Sequence, residues 1–233
     1  DHHWSPLGAY YAYTAFCEAL GMEYHLITDY TEKVKDGFVG SLYGYTNDIT
    51  LANAPEQFHY FLPPDVTYSV QTYYYDTLAP KNGGALFHEY VEGANCYGMF
   101  LGADAIHTKI TTSTKNGRKI VVFKESYGNA FVPFLVNNFE EIYVIDIRYF
   151  GTNAVDYIKK IGATDVLFID NCFAANTSSL IKHIEDLYSS PTGSVVTTVT
   201  ETETAPSETI ASGGKKKNDK KTTEQTAKEQ KNT

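Results

Sequence analysis

From Gly117 to Tyr188 the apolar positions fall into two alternating patterns. Lys119–Lys124 (KIVVFK), Glu141–Ile147 (EIYVIDI) and Thr164–Asp170 (TDVLFID) are short, nearly continuous apolar runs, the mark of strands buried on both faces. Between and after them, Ser126–Asn137 reads as a turn leading into a helix, and Thr152–Ile161 and Asn176–Tyr188 read as helices. Strands alternating with helices of about ten residues predict an α/β fold with a parallel sheet of right-handed βαβ units, a three-layer α/β/α sandwich.

Near the start, Ser5-Pro6 places a capping hydroxyl and a proline where a helix begins. This helix is predicted to run to about Leu20 and stop at Gly21, leaving His3 on a loop that the helix holds in place. Residues 23–100 carry Tyr-rich runs such as Val66–Tyr75, broken by Asn53–Pro55, Pro63-Pro64 and Asn82-Gly83-Gly84. They read as a substrate-side insertion with short strands. Beyond Pro191 there is no Phe, Trp or Tyr, and Thr, Ser, Lys, Glu and Gln dominate. Such a composition cannot bury enough apolar area to offset its ordering entropy. The expected organisation is one domain over 1–190 and a disordered tail over 191–233.

Composition narrows the function classes. Net charge is −9, and the tail holds seven Lys against six acidic residues, so the acidic excess lies in the body. Phosphate contacts need clustered Lys and Arg, so no nucleic-acid partner is expected. Cys17, Cys96 and Cys172 form no CxxC pair and read as buried free thiols. No apolar run is long enough to cross a bilayer. The chain begins at Asp1 without a Met and inside a motif, as expected of a fragment or a processed product.

Ligands of an open parallel sheet sit at the carboxyl ends of its strands. Ser126 follows the first strand, Arg148 the second and Asn171 the third. A serine at a strand-to-helix turn exposes its hydroxyl beside backbone N–H donors, and Gly128 permits close approach of a ligand. Helix-capping serines occupy the same place. A serine nucleophile also needs a base and an orienting acid, and Asp1 and His3, two apart, offer both.

Two segments resemble a known family. Asp1-His2-His3-Trp4-Ser5-Pro6-Leu7-Gly8-Ala9-Tyr10-Tyr11 resembles the signature of the bacterial DHHW protein family. Lys124-Glu125-Ser126-Tyr127-Gly128-Asn129 and the residues to Leu135 resemble its second motif, with Glu125 where Asp is usual. Glu141–Phe150 resembles a third. The family is similar to the SGNH-hydrolase-like, flavodoxin-like domains of alginate O-acetyltransferases, in which the Asp-x-His segment precedes the serine, a circular permutation of ordinary esterases. The resemblance implies Ser126 as nucleophile, His3 as base and Asp1 as its partner. It implies an oxyanion or substrate role for Gly128, Asn129, Asn171 and Arg148, although the usual glycine of the block containing Arg148 is not evident.

The expected function is serine-dependent acyl-ester transfer or hydrolysis on a cell-surface polysaccharide, without a cofactor. The alternative is a non-catalytic polysaccharide-binding or scaffold protein assisting a membrane-bound O-acyltransferase. Either implies an extracytoplasmic location, reached through an upstream signal or anchor. A third reading takes Asp1-His2-His3 as an amino-terminal Cu(II) or Ni(II) site, which needs a free amine at Asp1.

Overall fold

Ser5 accepts a hydrogen bond from Gly8 N–H at 3.1 Å and Pro6 occupies the first helical position, so α1 runs Pro6–Ala19. Gly21, at φ 61°, follows its end. The computed structural model describes residues 1–73, 82–102 and 104–193; the tail from 194 on, and the end of the Val66–Tyr75 run, lie outside the described residues. After α1 come β1 (Thr31–Phe38), α2 (Gly40–Thr46), α3 (Ile49–Ala52), β2 (Glu56–Leu62), β3 (Tyr68–Tyr73), β4 (Asn82–Gly84), β5 (His107–Thr112), β6 (Lys119–Lys124) and α4 (Gly128–Phe131). β7 (Glu141–Asp146), α5 (Ala154–Ile161), β8 (Asp165–Ile169) and α6 (Ser178–Ser189) complete the order.

The main sheet has six strands in the order β4-β3-β5-β7-β6-β8. The three apolar runs are neighbours at one end of it, with β6 parallel to both β7 and β8. The remaining strands make the sheet mixed: β5 pairs antiparallel with β7, and β3 antiparallel with both β5 and β4. Residues 23–100 therefore divide. β1 and β2 form a separate antiparallel pair, whereas β3 and β4 extend the main sheet.

Both faces of the sheet are covered, making a mixed α/β fold. Ile120, Val122, Ile142 and Val144 face one core with Tyr10 and Tyr13 of α1 and Phe131 of α4. Val121, Phe123, Tyr143 and Ile145 face the other with Ala154 of α5 and Leu180 and Leu187 of α6. Each well-buried apolar side chain contributes about 1.5–3 kcal/mol. Central β6 is buried along nearly its whole length, which is why it reads as a continuous run. Edge strand β8 leaves Val166 and Phe168 partly exposed.

The predicted helix over 126–137 is one α-turn, α4, followed by a 3-10 segment over Val132–Asn137. Pro133 lacks the N–H that would continue the α-helix. Cys17 and Cys96 are buried thiols as expected, but Cys172 is exposed, in the loop after β8. No helix among the described residues is long and apolar enough to cross a membrane.

Candidate active site

Two cross-links seat the first four residues against the β6–α4 turn. The Trp4 indole donates to the Tyr127 carbonyl at 3.0 Å, and the Tyr127 hydroxyl donates to the His2 carbonyl. This brings His3 to Ser126, 123 residues away, with 2.9 Å between Nε2 and Oγ. His3 Nδ1 lies 2.8 Å from Asp1 Oδ1, which also accepts from the His3 backbone N–H at 2.9 Å. A carboxylate accepts only, so Nδ1 carries the imidazole proton and Nε2 presents its lone pair to the serine hydroxyl.

Asp1 is held from its other side by the Ser41 N–H, which donates to Oδ2 at 2.8 Å. Gly40 is at φ 73°, and a Cβ there would stand 2.7 Å from Asp1 N, so glycine serves both the turn and the close approach. The His3 ring is stacked at 3.7 Å and 3° on Tyr97 and lies 3.8 Å from His2 on centroid distance. The Tyr97 hydroxyl donates to the Ser126 and Tyr127 carbonyls at 3.0 Å each. His2 Nδ1 is 2.6 Å from Ser41 Oγ, and burial, then the charge of His3, push its pKa down to about 4. It is neutral at pH 7. The His3 side chain makes no contact with solvent.

A buried polar layer lies under the serine. Glu125 accepts from Ser126 Oγ and Tyr127 N–H at 3.2 Å each, and from Asn171 N–H at 3.0 Å. Lys124, 1% exposed, donates to Asp146 at 3.0 Å and to Asp104 at 3.2 Å. Arg148 reaches the same two carboxylates, at 2.7 and 2.6 Å. Burial alone would raise the Asp104 pKa, but Lys124 and Arg148 hold it well below the usual carboxylate range. Partial burial, then the charges of Glu125 and Asp146, push the half-buried Asp170 up to about 7.

The structure thus brings Asp1, His3 and Ser126 together and gives the other expected site residues different tasks. Arg148, expected at the substrate, pairs with Asp146 and Asp104 in this buried layer. Asn171 Oδ1 accepts from Phe173 and Ala174 N–H at 2.8 and 2.9 Å, capping the turn after β8, which leaves its Nδ2 as the only atom that could donate to an oxyanion. Asn129 donates to Asp104 at 3.2 Å. Gly128 N–H donates to the Glu125 carbonyl at 3.0 Å, which removes it as an oxyanion donor. The reason for glycine there is packing: a Cβ would stand 2.5 Å from Lys124 Cβ and 2.8 Å from Ile169. Gly128→Ala is expected to destabilise the fold by about 1–3 kcal/mol through overpacking, read as a lower urea midpoint at unchanged slope.

Ser41, Tyr97 and the Lys124–Asp104–Asp146 cluster were not anticipated. The lysine that closes an apolar strand beside a motif serine was the one available signal, since lysine is rarely buried without an acidic partner. Asp1, His2 and His3 hold ligand-type atoms within 4.8 Å of one another. They do not fit an amino-terminal copper site, because both His3 nitrogens such a site would use, the amide N and Nδ1, are directed at Asp1.

A cleft of about 400 Å³ opens beside Asp1, His3 and Tyr97, between the start of α1 and the β1–β2 pair.

A family model described as DHHW protein matches residues 1–145. The crystal structure of a DHHW family protein from Eubacterium siraeum is 41% identical, with a TM-score of 0.74, over 81% of this chain and 63% of that one. PatB1 of Bacillus cereus shares the fold at 20% identity and a TM-score of 0.61 in a structure with a sulfonyl adduct, covering 78% of this chain and 61% of that one. A second PatB1 structure gives 22% and 0.59 over 75% and 61%. The chain therefore spans less than two thirds of the length of these relatives. No curated protein matches it.

Proposed function

Because the chain belongs to the DHHW protein family, we propose that it transfers or hydrolyses acyl esters with Ser126 as nucleophile, on an SGNH-hydrolase-like, circularly permuted domain. The observation that supports this most is the relay of Asp1, His3 and Ser126 at 2.8 and 2.9 Å. That arrangement makes a hydroxyl nucleophilic.

His3 Nε2 takes the Ser126 proton as Oγ bonds to the ester carbonyl carbon. The bond from that carbon to the leaving oxygen then breaks, and His3 returns the proton to that oxygen. An acceptor hydroxyl or water, losing its proton to His3, attacks the acyl-serine; the bond from the acyl carbon to Oγ breaks, and His3 returns the proton to Ser126. Asp1 keeps the Nδ1 proton directed at itself and stabilises the imidazolium. The Tyr97 ring against the imidazole face favours the same cation. Tyr127 and Gly128 N–H are both spent on Glu125, so the Ser126 N–H is assigned to the developing oxyanion. The expected acceptor is a cell-surface polysaccharide, with a membrane-bound O-acyltransferase as acyl source and an extracytoplasmic site of action.

A sulfonyl adduct is what a sulfonylating reagent leaves on a nucleophile, and PatB1, which shares the fold, has been captured with one. The test is intact-mass analysis after treatment with phenylmethanesulfonyl fluoride. One adduct is expected on the wild type and none on Ser126→Ala or on a folded His3→Ala. An equal adduct on Ser126→Ala would overturn the assignment. The reading as a non-catalytic binding or scaffold protein draws on the solvent-inaccessible His3 side chain, and an unlabelled wild type would favour it.

A further inference from the structure

The cleft beside the triad has a lining that selects by charge. One wall is the start of α1, with Trp4 and Leu7; the other is the β1–β2 pair, with Glu32 and Glu56 and the apolar Phe58 and Phe61. It meets the site at Asp1, His3 and Tyr97, and Tyr97 spans the gap to the nucleophile, its ring on His3 and its hydroxyl on the Ser126 carbonyl. A molecule in the cleft therefore lies one side chain away from the chemistry.

Among the described residues, three carboxylates line the cleft, those of Asp1, Glu32 and Glu56, and neither Lys nor Arg does. The nearby lysine of β1 points elsewhere: Lys35 donates to the Glu89 carbonyl. Glu32 is paired with His59 at 2.6 Å, whereas the Glu56 and Gln57 side chains are exposed at the rim. An anionic group entering here would meet like charge at short range, with no lysine or arginine of the described lining to pair with, a cost that electrostatic complementarity normally avoids. Hydroxyls and amines would find acceptors in the carboxylates, and the apolar face of a ring would find Trp4 and Leu7. The volume of about 400 Å³ falls in the range of small-molecule sites.

We propose that this cleft is the acceptor subsite and that it takes a saccharide carrying no negative charge, neutral or amino-bearing, while rejecting uronate units. The proposal rests on the acyl-transfer reading for the word acceptor. The binding selectivity stands on the lining alone and is measured without turnover.

The chain's single tryptophan, Trp4, lines the cleft, so its fluorescence reports occupancy directly. Wild-type protein is titrated with three trisaccharides that carry no O-acyl ester: tri-N-acetylglucosamine (neutral), triglucosamine (cationic) and trigalacturonate (anionic). The neutral and cationic probes are expected to shift Trp4 emission saturably, with trigalacturonate at least about tenfold weaker. In the Glu32→Gln/Glu56→Gln double variant the disadvantage of trigalacturonate should shrink to about threefold or less. Trigalacturonate binding as well as the others, an unchanged ratio in the double variant, or no emission shift with any probe would each overturn the proposal. Failure of sulfonyl labelling at Ser126 with charge-selective binding intact would instead sink the catalytic reading and leave the cleft assignment standing.

Discussion

Ser126→Ala is expected to lower turnover of a short-chain chromogenic ester by at least about 10⁴-fold. Removal of Oγ takes away the atom that bonds to the acyl carbon, the hydroxyl that lies 2.9 Å from His3 Nε2. The change should leave the fold almost untouched. Ser126 sits in a turn and its hydroxyl bonds His3 and Glu125 among the described residues, so the loss empties little core volume. Asp1→Asn is the informative companion. It keeps the shape of the side chain but can present an amide N–H to Nδ1, which would put the imidazole proton on Nε2, facing the serine. Turnover should fall by up to about 10⁴-fold, while sulfonyl labelling slows without disappearing. Circular dichroism and a urea midpoint within about 0.5 kcal/mol of wild type accompany both results. A Ser126→Ala protein hydrolysing the ester at the wild-type rate would reject the enzymatic reading.

Lys124→Met should produce the largest loss of stability of any single change near the site, about 3–5 kcal/mol. Lys124 is 1% exposed and its ammonium lies between Asp146 and Asp104, which are themselves almost out of solvent. Burial works against its charge, but the two carboxylates outweigh it and raise its pKa. Methionine fills a similar volume, so the loss is that of the charge: Arg148 alone is left to neutralise two buried carboxylates. The same cluster predicts the acid limb of stability. Asp104 has a folded-state pKa depressed below its unfolded value, so its contribution is complete above the ordinary Asp range and is lost as pH falls through the lower folded value. In Lys124→Met the depression should weaken, and acid unfolding should begin at higher pH. Urea melts at a series of pH values measure both effects. A Lys124→Met midpoint equal to wild type would mean that the cluster does not hold the β6–β7 carboxyl ends together.

Much of the parallel half of the sheet was legible because its elements are local. KIVVFK and EIYVIDI are buried on both faces almost throughout, and burial leaves its mark in the run itself; the 164–170 run was legible as an apolar strand although one face of it is exposed. The start of α1 was equally local, since Ser5 caps it and Pro6 opens it. The antiparallel half was not legible. Residues 68–73 and 107–112 alternate only loosely with polar residues, and nothing in either segment says that β5 joins the two halves by pairing with β7. The exposure of Cys172 also escaped the sequence, because a short loop after an edge strand carries no periodicity to read.

The candidate site divides in the same way. Asp1, His3 and Ser126 were marked by residue type and by likeness to the family's motifs, each motif being continuous in sequence. Arg148 and Asn171 were placed at the correct strand ends, but the protein partners they meet there were not foreseen. Position along a strand sets where a side chain starts, and the neighbours that arrive from elsewhere set what it bonds to. Asp104, from the loop before β5, turned Arg148 inward, and the turn after β8 took the Asn171 carbonyl for its own N–H groups. Ser41 and Tyr97 reach the triad from 40 residues beyond Asp1 and 29 before Ser126. By itself, then, the sequence determined which segments form the central strands and which motif residues are chemically competent. The tertiary structure decided the strand order beyond β7, the partners of every charged group under Ser126, and the cleft between α1 and the β1–β2 pair. Local periodicity records how deeply a residue is buried, whereas pairing and cavity shape depend on contacts between segments distant along the chain, which no local pattern encodes.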